Sequence, residues 1–124
     1  MPVPILRQGG YLIASIQSAL TDSEVLELRD DLADRIGRFR ARGIIIDVAA
    51  LDVIDSFVAR SLRTIARTAS LRGAATVIVG IQPDVAVAMV QFRLNLEPLQ
   101  TALDLEEGLA QLDRLTIGRE RHAE

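Results

Sequence analysis

Cysteine is absent from this 124-residue chain, which removes disulfides, thiolate nucleophiles and thiolate metal sites together. Lysine is absent as well. All 14 basic residues are arginine, set against 17 acidic ones, for a formal charge of -3. No basic excess exists to release counterions from phosphates, so nucleic acid is not an expected partner. Tryptophan is missing and aromatics are only 3% of residues, so the core has to be aliphatic. The single histidine, His122, stands in a polar C-terminal stretch and reads as a solvated tail residue. A histidine metal centre and a Ser-His-Asp hydrolase are therefore not expected, and neither metal nor cofactor is. No apolar run approaches the roughly 18 residues of a membrane span. Met1-Pro2-Val3-Pro4 lacks the charged start and apolar stretch of a signal peptide, so the expected location is the cytoplasm, away from the membrane.

What the chain does have is a 49% hydrophobic composition, enough for one ordinary core and too much for disorder. Val3 to Arg7 and Tyr11 to Ile16 read as strands joined at Gly9-Gly10, a hairpin signal. Thr21 followed by Glu24 is a capping box. Val25, Leu28, Leu32, Ile36 and Phe39 then recur at helical spacing, predicting a helix that runs to about Arg42 and stops at Gly43. Gly43 to Val48 is a β-branched run of the kind covered on both faces of a sheet. A second helix opens at Asp55-Ser56 and closes at Arg72-Gly73, followed by a buried strand from Ala75 to Gly80. A third helix starts at Pro83-Asp84, a short strand falls near Leu99 to Ala102, and a last helix covers about Asp104 to Leu115. The expected architecture is one α/β domain over residues 1–115, a mixed sheet with about four helices packed on it, and a flexible tail over 116–124.

The informative stretch is Asp52-Val53-Ile54-Asp55-Ser56-Phe57, where the carboxyl end of a strand meets a helix N-terminus. Either Asp55 or Ser56 can be the N-cap, and Ser56 can instead be a phosphoacceptor. A nucleophilic role fits less well, because only carboxylates are nearby to act as base. Between Ser56 and Pro83 the charged residues are Arg60, Arg63, Arg67 and Arg72, with no acid. The first three form a stripe that is either a solvated face or a surface for an acidic partner. Gly80-Ile81-Gln82-Pro83 offers backbone N–H groups to an anion but has neither a glycine-rich loop nor a Walker lysine. Asp47 and Asp52 make a carboxylate pair without a third ligand.

Taken together, Ser15-Ile16-Gln17, Ile45-Ile46-Asp47, the LDVIDSF run from Leu51 to Phe57, the GIQP turn and TALDLEEGL from Thr101 to Leu109 resemble a STAS domain. This is the small α/β domain of anti-sigma-factor antagonists, and the likeness is greatest to the minimal scaffold member of the bacterial stressosome. The resemblance implies a non-enzymatic scaffold and negative regulator that sequesters a switch serine/threonine kinase and releases it when Ser56 is phosphorylated, in control of a stress-response sigma-factor pathway. It also implies self-association, sensor-bearing STAS co-scaffold partners and a phosphatase acting on phosphorylated Ser56. Asp52, Asp55, Ser56, Phe57, Arg60 and Arg63 are the expected partner-binding residues, the two arginines because their stripe runs beside Ser56. Phe57-Val58-Ala59 stands where direct antagonists carry a glycine-containing helix start, which favours the scaffold type. The alternative is a direct antagonist that binds a kinase-type anti-sigma factor.

Overall fold

The computed structural model describes residues 3–123, with side-chain surroundings given for residues 3–117. Nine elements follow one another: β1 (Ile5–Gln8), β2 (Tyr11–Ser15), α1 (Asp22–Phe39), β3 (Gly43–Asp47), α2 (Ser56–Leu71), β4 (Ala75–Val79), α3 (Pro83–Gln91), β5 (Gln100–Ala102) and α4 (Leu105–Ala123). The strands form one sheet in the order β1-β2-β3-β4-β5. Gln8 pairs with Tyr11, so the Gly9-Gly10 hairpin is a two-residue turn and β1 lies antiparallel on the sheet edge. The remaining neighbours are parallel, each reached by a helical crossover.

Alternation along the strands divides the apolar residues between two cores. Leu12, Ala14, Ile44, Ile46 and Ile78 pack with Leu28, Leu32 and Ile36 of α1 and Leu62 and Ile65 of α2. Tyr11, Ile13, Ile45, Val77 and Val79 face the other way, onto Leu112 of α4. Coverage of both faces is why the central strands read as unbroken β-branched runs. Gly108 lets α4 come down on the sheet, since a Cβ there would sit 2.5 Å from Val79 Cγ1 and 2.9 Å from Ile45 Cδ1.

The helix ends show where local chemistry governs and where packing overrides it. At Thr21 the predicted capping box is present: Oγ1 accepts from the Glu24 N–H at 3.2 Å, and Glu24 Oε1 accepts from the Thr21 N–H at 3.0 Å. The bond from the Thr21 backbone holds the Glu24 carboxyl below its ordinary 4.5. The far end of α1 departs from expectation. The helix stops at Phe39, Arg40 takes the left-handed conformation at φ 51°, and the Ala41 N–H returns to the Ile36 carbonyl. Gly43 belongs to β3, where a Cβ would meet Leu112 at 2.8 Å; it is needed for packing and does not stop the helix. The last helix also differs, continuing to Ala123 where its end was expected near Leu115. Thr116 is buried, its hydroxyl donating to the Leu112 carbonyl at 2.8 Å and lying 3.1 Å from the Tyr11 hydroxyl, which in turn donates to Asp113 at 2.5 Å. Residue 116 is thus part of the packed domain and not of a tail. The readings of His122 and of the last residues fall outside the described side chains.

Candidate functional site

The site is built where β3 leaves the sheet. Asp47 Oδ1 accepts from the Ala49 N–H at 2.9 Å, which turns the chain outward. Leu51 and Ile54 bury into the core and pin the loop, leaving Asp52 and Val53 exposed between them. Asp55 is extended, and its Oδ1 accepts from the Val58 N–H at 2.9 Å, so Asp55 is the N-cap and Ser56 the first helical residue. Ser56 is exposed, and its hydroxyl makes no hydrogen bond among the described residues. The cap that sequence left open between the two is therefore held by the aspartate, which frees the serine oxygen.

The opposite wall comes from the exit of β4. Gly80 has φ +84°, and a Cβ there would lie 3.0 Å from Ala49 Cβ and 3.1 Å from Asp47 Oδ1, so a glycine is required for the two strand exits to run this close. Gln82 then stitches them: its Nε2 donates to the Ala49 carbonyl at 2.8 Å and lies 3.4 Å from Asp52 Oδ1. Between the 52–56 segment and α3 lies an open cleft of about 520 Å³. Asp52, Asp55 and Asp84 bring carboxylates to it, Val53, Val85, Ala88 and Phe92 make it apolar, and no basic residue lines it. Phe92 is 75% exposed and Val53 67%. Neither Asp84 nor Phe92 was foreseen, because α3 reaches the cleft only through its crossover.

The arginine stripe along α2 is divided by its surroundings. Arg60 is exposed, and its guanidinium has no ion-pair or hydrogen-bond partner among the described residues. Arg63 is half-buried and donates to the Asn95 carbonyl, pinning the loop after α3, so it is not a freely presented charge. Arg67 stands about 10 Å beyond Arg60 at the helical rise. Phe57 is half-buried beside Ser56. Ser61 is buried and donates to the Phe57 carbonyl at 2.7 Å, and the Thr64 hydroxyl donates to the Arg60 carbonyl at 3.1 Å. In the first three turns, Ser56 alone presents an uncommitted hydroxyl to solvent. Among the described residues no group of three or more His, Cys, Asp or Glu is placed to hold a metal. No helix among them is long and apolar enough to cross a membrane.

With this geometry in view, the comparisons with known proteins place the chain. The model of the STAS domain matches residues 3–108, and the chain belongs to that family. Within it the likeness is to stressosome proteins. RsbS of Moorella thermoacetica, in a form carrying a serine-to-glutamate substitution, is 37% identical over 91% of this chain and 96% of that one, with a TM-score of 0.74. A chain of the stressosome, described as a signal integration and transduction hub, is 38% identical over 90% of this chain and 97% of that one, with a TM-score of 0.75. The RsbT co-antagonist protein RsbRA of Bacillus subtilis is 24% identical over 66% of this chain, a match that spans only 30% of RsbRA. The fold is thus that of an RsbS-like STAS domain.

Proposed function

We propose that this chain is a stressosome core scaffold without enzymatic activity. In this reading it sequesters a switch serine/threonine kinase in the cytoplasm and releases it when Ser56 is phosphorylated. The observation that carries the reading is the uncommitted, exposed Ser56 hydroxyl at the start of α2, on the rim of a cleft with exposed Val53 and Phe92, in a chain similar throughout to RsbS. Phosphorylation adds a charge near -2 and three acceptor oxygens. The helix N-terminus favours that charge by up to about 2 kcal/mol. Carboxylates within about 6 Å oppose it by roughly 1–3 kcal/mol. Asp52, Asp55 and Asp84 line the cleft beside Ser56 and no basic residue does, so the cleft lining offers a phosphate no cation.

Arg60 follows Ser56 at i+4, the spacing at which an acid and an arginine pair across a helical turn. In the modified protein the phosphate engages Arg60 and removes it from a partner's acidic surface, while charge and bulk close the cleft rim. The fold is left intact and the docking surface changes. Sensor-bearing STAS relatives and further copies of this chain complete the assembly, and a phosphatase acting on Ser56 resets it. The test is size-exclusion chromatography of the chain with a sensor-bearing STAS protein and the kinase, before and after ATP. The expected result is a large particle that retains the kinase, then loses it on phosphorylation. A chain that stays monomeric in the mixture and ignores the kinase contradicts the reading. A dimer-sized species that captures a kinase-type anti-sigma factor supports the direct-antagonist alternative.

A further inference from the structure

The outer face of α3 is apolar where a surface helix ordinarily carries charge. Val85 and Met89 are buried and fix the helix on the domain. On the side turned to solvent Val87 is 58% exposed and Val90 79%, and the helix has no charged residue after Asp84. The apolar surface continues from Val90 across an open groove of about 500 Å³ to Leu103, 81% exposed just after β5. Exposed apolar surface of this continuity marks a contact face. It lies on the flank of α3 away from Ser56: Asp84, Val85, Ala88 and Phe92 line the cleft beside that serine, whereas Ala86, Met89 and Val90 line the groove.

The order of residues along α3 complements itself. Asp84 stands in the first turn and Arg93 just past the C-cap Phe92, both exposed and neither with an ion-pair partner among the described residues. Asp84 and Arg93 are centred on the same point of the chain as Val87 and Val90, between Ala88 and Met89. A second α3 laid antiparallel about a two-fold axis through that point brings Val87 of each copy to Val90 of the other. It also brings the acidic end of each helix to the basic end of its partner, so each charge is met twice over by symmetry. A parallel arrangement would set like charges side by side at both ends. No charge lies between the ends, so closing the contact desolvates only apolar groups and Gln91.

From this self-complementarity we infer that α3 is a contact between two copies of this chain, paired antiparallel with Val87 and Val90 at the centre, Asp84 meeting Arg93 at each end, and Leu103 covering the flank. Helices packed in this way lie about 8–10 Å apart, within reach of all four side chains. With a nine-residue helix from each copy the contact is small and weak by itself, and it gains strength by repetition in a larger assembly. The inference deepens the scaffold reading, on which such repetition rests, by naming the surface through which copies meet. The apolar contact uses the flank away from the cleft, so the Ser56 hydroxyl stays uncovered.

The experiment uses the full chain alone. Because the chain has no cysteine, introduced cysteines report the register without background. Asp84→Cys mixed with Arg93→Cys under mild oxidation is expected to give the mixed disulfide as the main product, since that pair keeps the second Asp84–Arg93 contact. Each variant by itself should cross-link at least about fivefold less, its two cysteines lying about 13 Å apart along the helices at the helical rise. Sedimentation equilibrium of the parent is expected to show a dimer with a Kd at or below about 1 mM. Among variants that keep the parent's circular dichroism, Val90→Glu and Asp84→Arg should each weaken it at least about fivefold, and adding Arg93→Asp to Asp84→Arg should restore it. The inference is overturned if the parent is monomeric at about 1 mM, if the mixed disulfide forms no faster than either homodisulfide, or if the charge exchange restores nothing. A Val90→Glu chain that associates like the parent yet no longer retains the kinase also overturns it and assigns the face to the kinase. Since kinase and sensor-bearing relative are absent from the first measurements, failure there leaves the scaffold reading to its own test.

Discussion

Removing the Asp55 side chain separates capping from partner recognition at the switch loop. Asp55 Oδ1 accepts from the Val58 N–H at 2.9 Å and is the side-chain cap of α2. No acidic residue lies in the first turn to take its place against the helix dipole. Loss of a cap of this type costs about 0.5–2 kcal/mol, part of it from the negative charge beside the N-terminus. The unfolding entropy of a 124-residue domain is about 0.26 kcal/mol/K at the usual value per residue. A loss of about 1–2 kcal/mol then lowers Tm by about 4–8 °C. Asp55→Ala should show that drop in thermal unfolding followed by circular dichroism, whereas Asp55→Asn retains an accepting oxygen and should fall by about 2 °C or less. Ser56→Ala should also move Tm little, since its hydroxyl makes no bond to lose. With capping preserved, Asp55→Asn becomes the clean test of whether the Asp55 charge contributes to kinase binding. The reasoning is refuted if Asp55→Ala unfolds at the same temperature as Ser56→Ala.

Arg60→Glu should leave Tm within about 1 °C of the parent, because exposed charges contribute little to stability, yet weaken kinase capture in a pull-down; Arg63→Ala should instead lower stability by about 1 kcal/mol through the lost bond to Asn95. Gly80→Ala should cost about 1–3 kcal/mol in urea unfolding, since alanine is strained at φ +84° and its Cβ would press on Ala49 and Asp47. Glu24 has a lowered pKa in the fold, so its stabilisation is present above its unfolded value near 4.5 and is lost as pH falls through the folded value. The stability difference between parent and Glu24→Gln, measured by denaturant titration from neutral pH downward, should therefore shrink only below about pH 4.5.

Features written in short stretches of chain could be read from sequence, and those made by distant stretches could not. The Thr21-Glu24 box, the Gly9-Gly10 turn and the Asp55-Ser56 helix start each depend on residues within four positions of one another, so their chemistry is visible locally. The end of α1 was misplaced because Gly43 looks like a helix stop, whereas the helix closes on a left-handed Arg40 and the glycine makes room for Leu112. That requirement comes from a residue 69 positions away. In the site, Ser56, Asp52 and Asp55 were legible from the strand-to-helix junction. The stitch from Gln82, the contribution of Asp84 and Phe92, and the capture of Arg63 by Asn95 arise only when β4 and α3 lie beside that junction. No periodicity along the chain encodes such a meeting.

The central claim is that Ser56 is the controlling phosphoacceptor, and site-resolved mass spectrometry after incubation with the cognate kinase and ATP tests it most directly. The account predicts one dominant phosphate on Ser56, none on the buried Ser61, and no incorporation into Ser56→Ala, which should stay folded and keep the kinase bound. Phosphate found mainly on Thr64, Thr68 or another residue, with Ser56→Ala modified as fully as the parent, would contradict it.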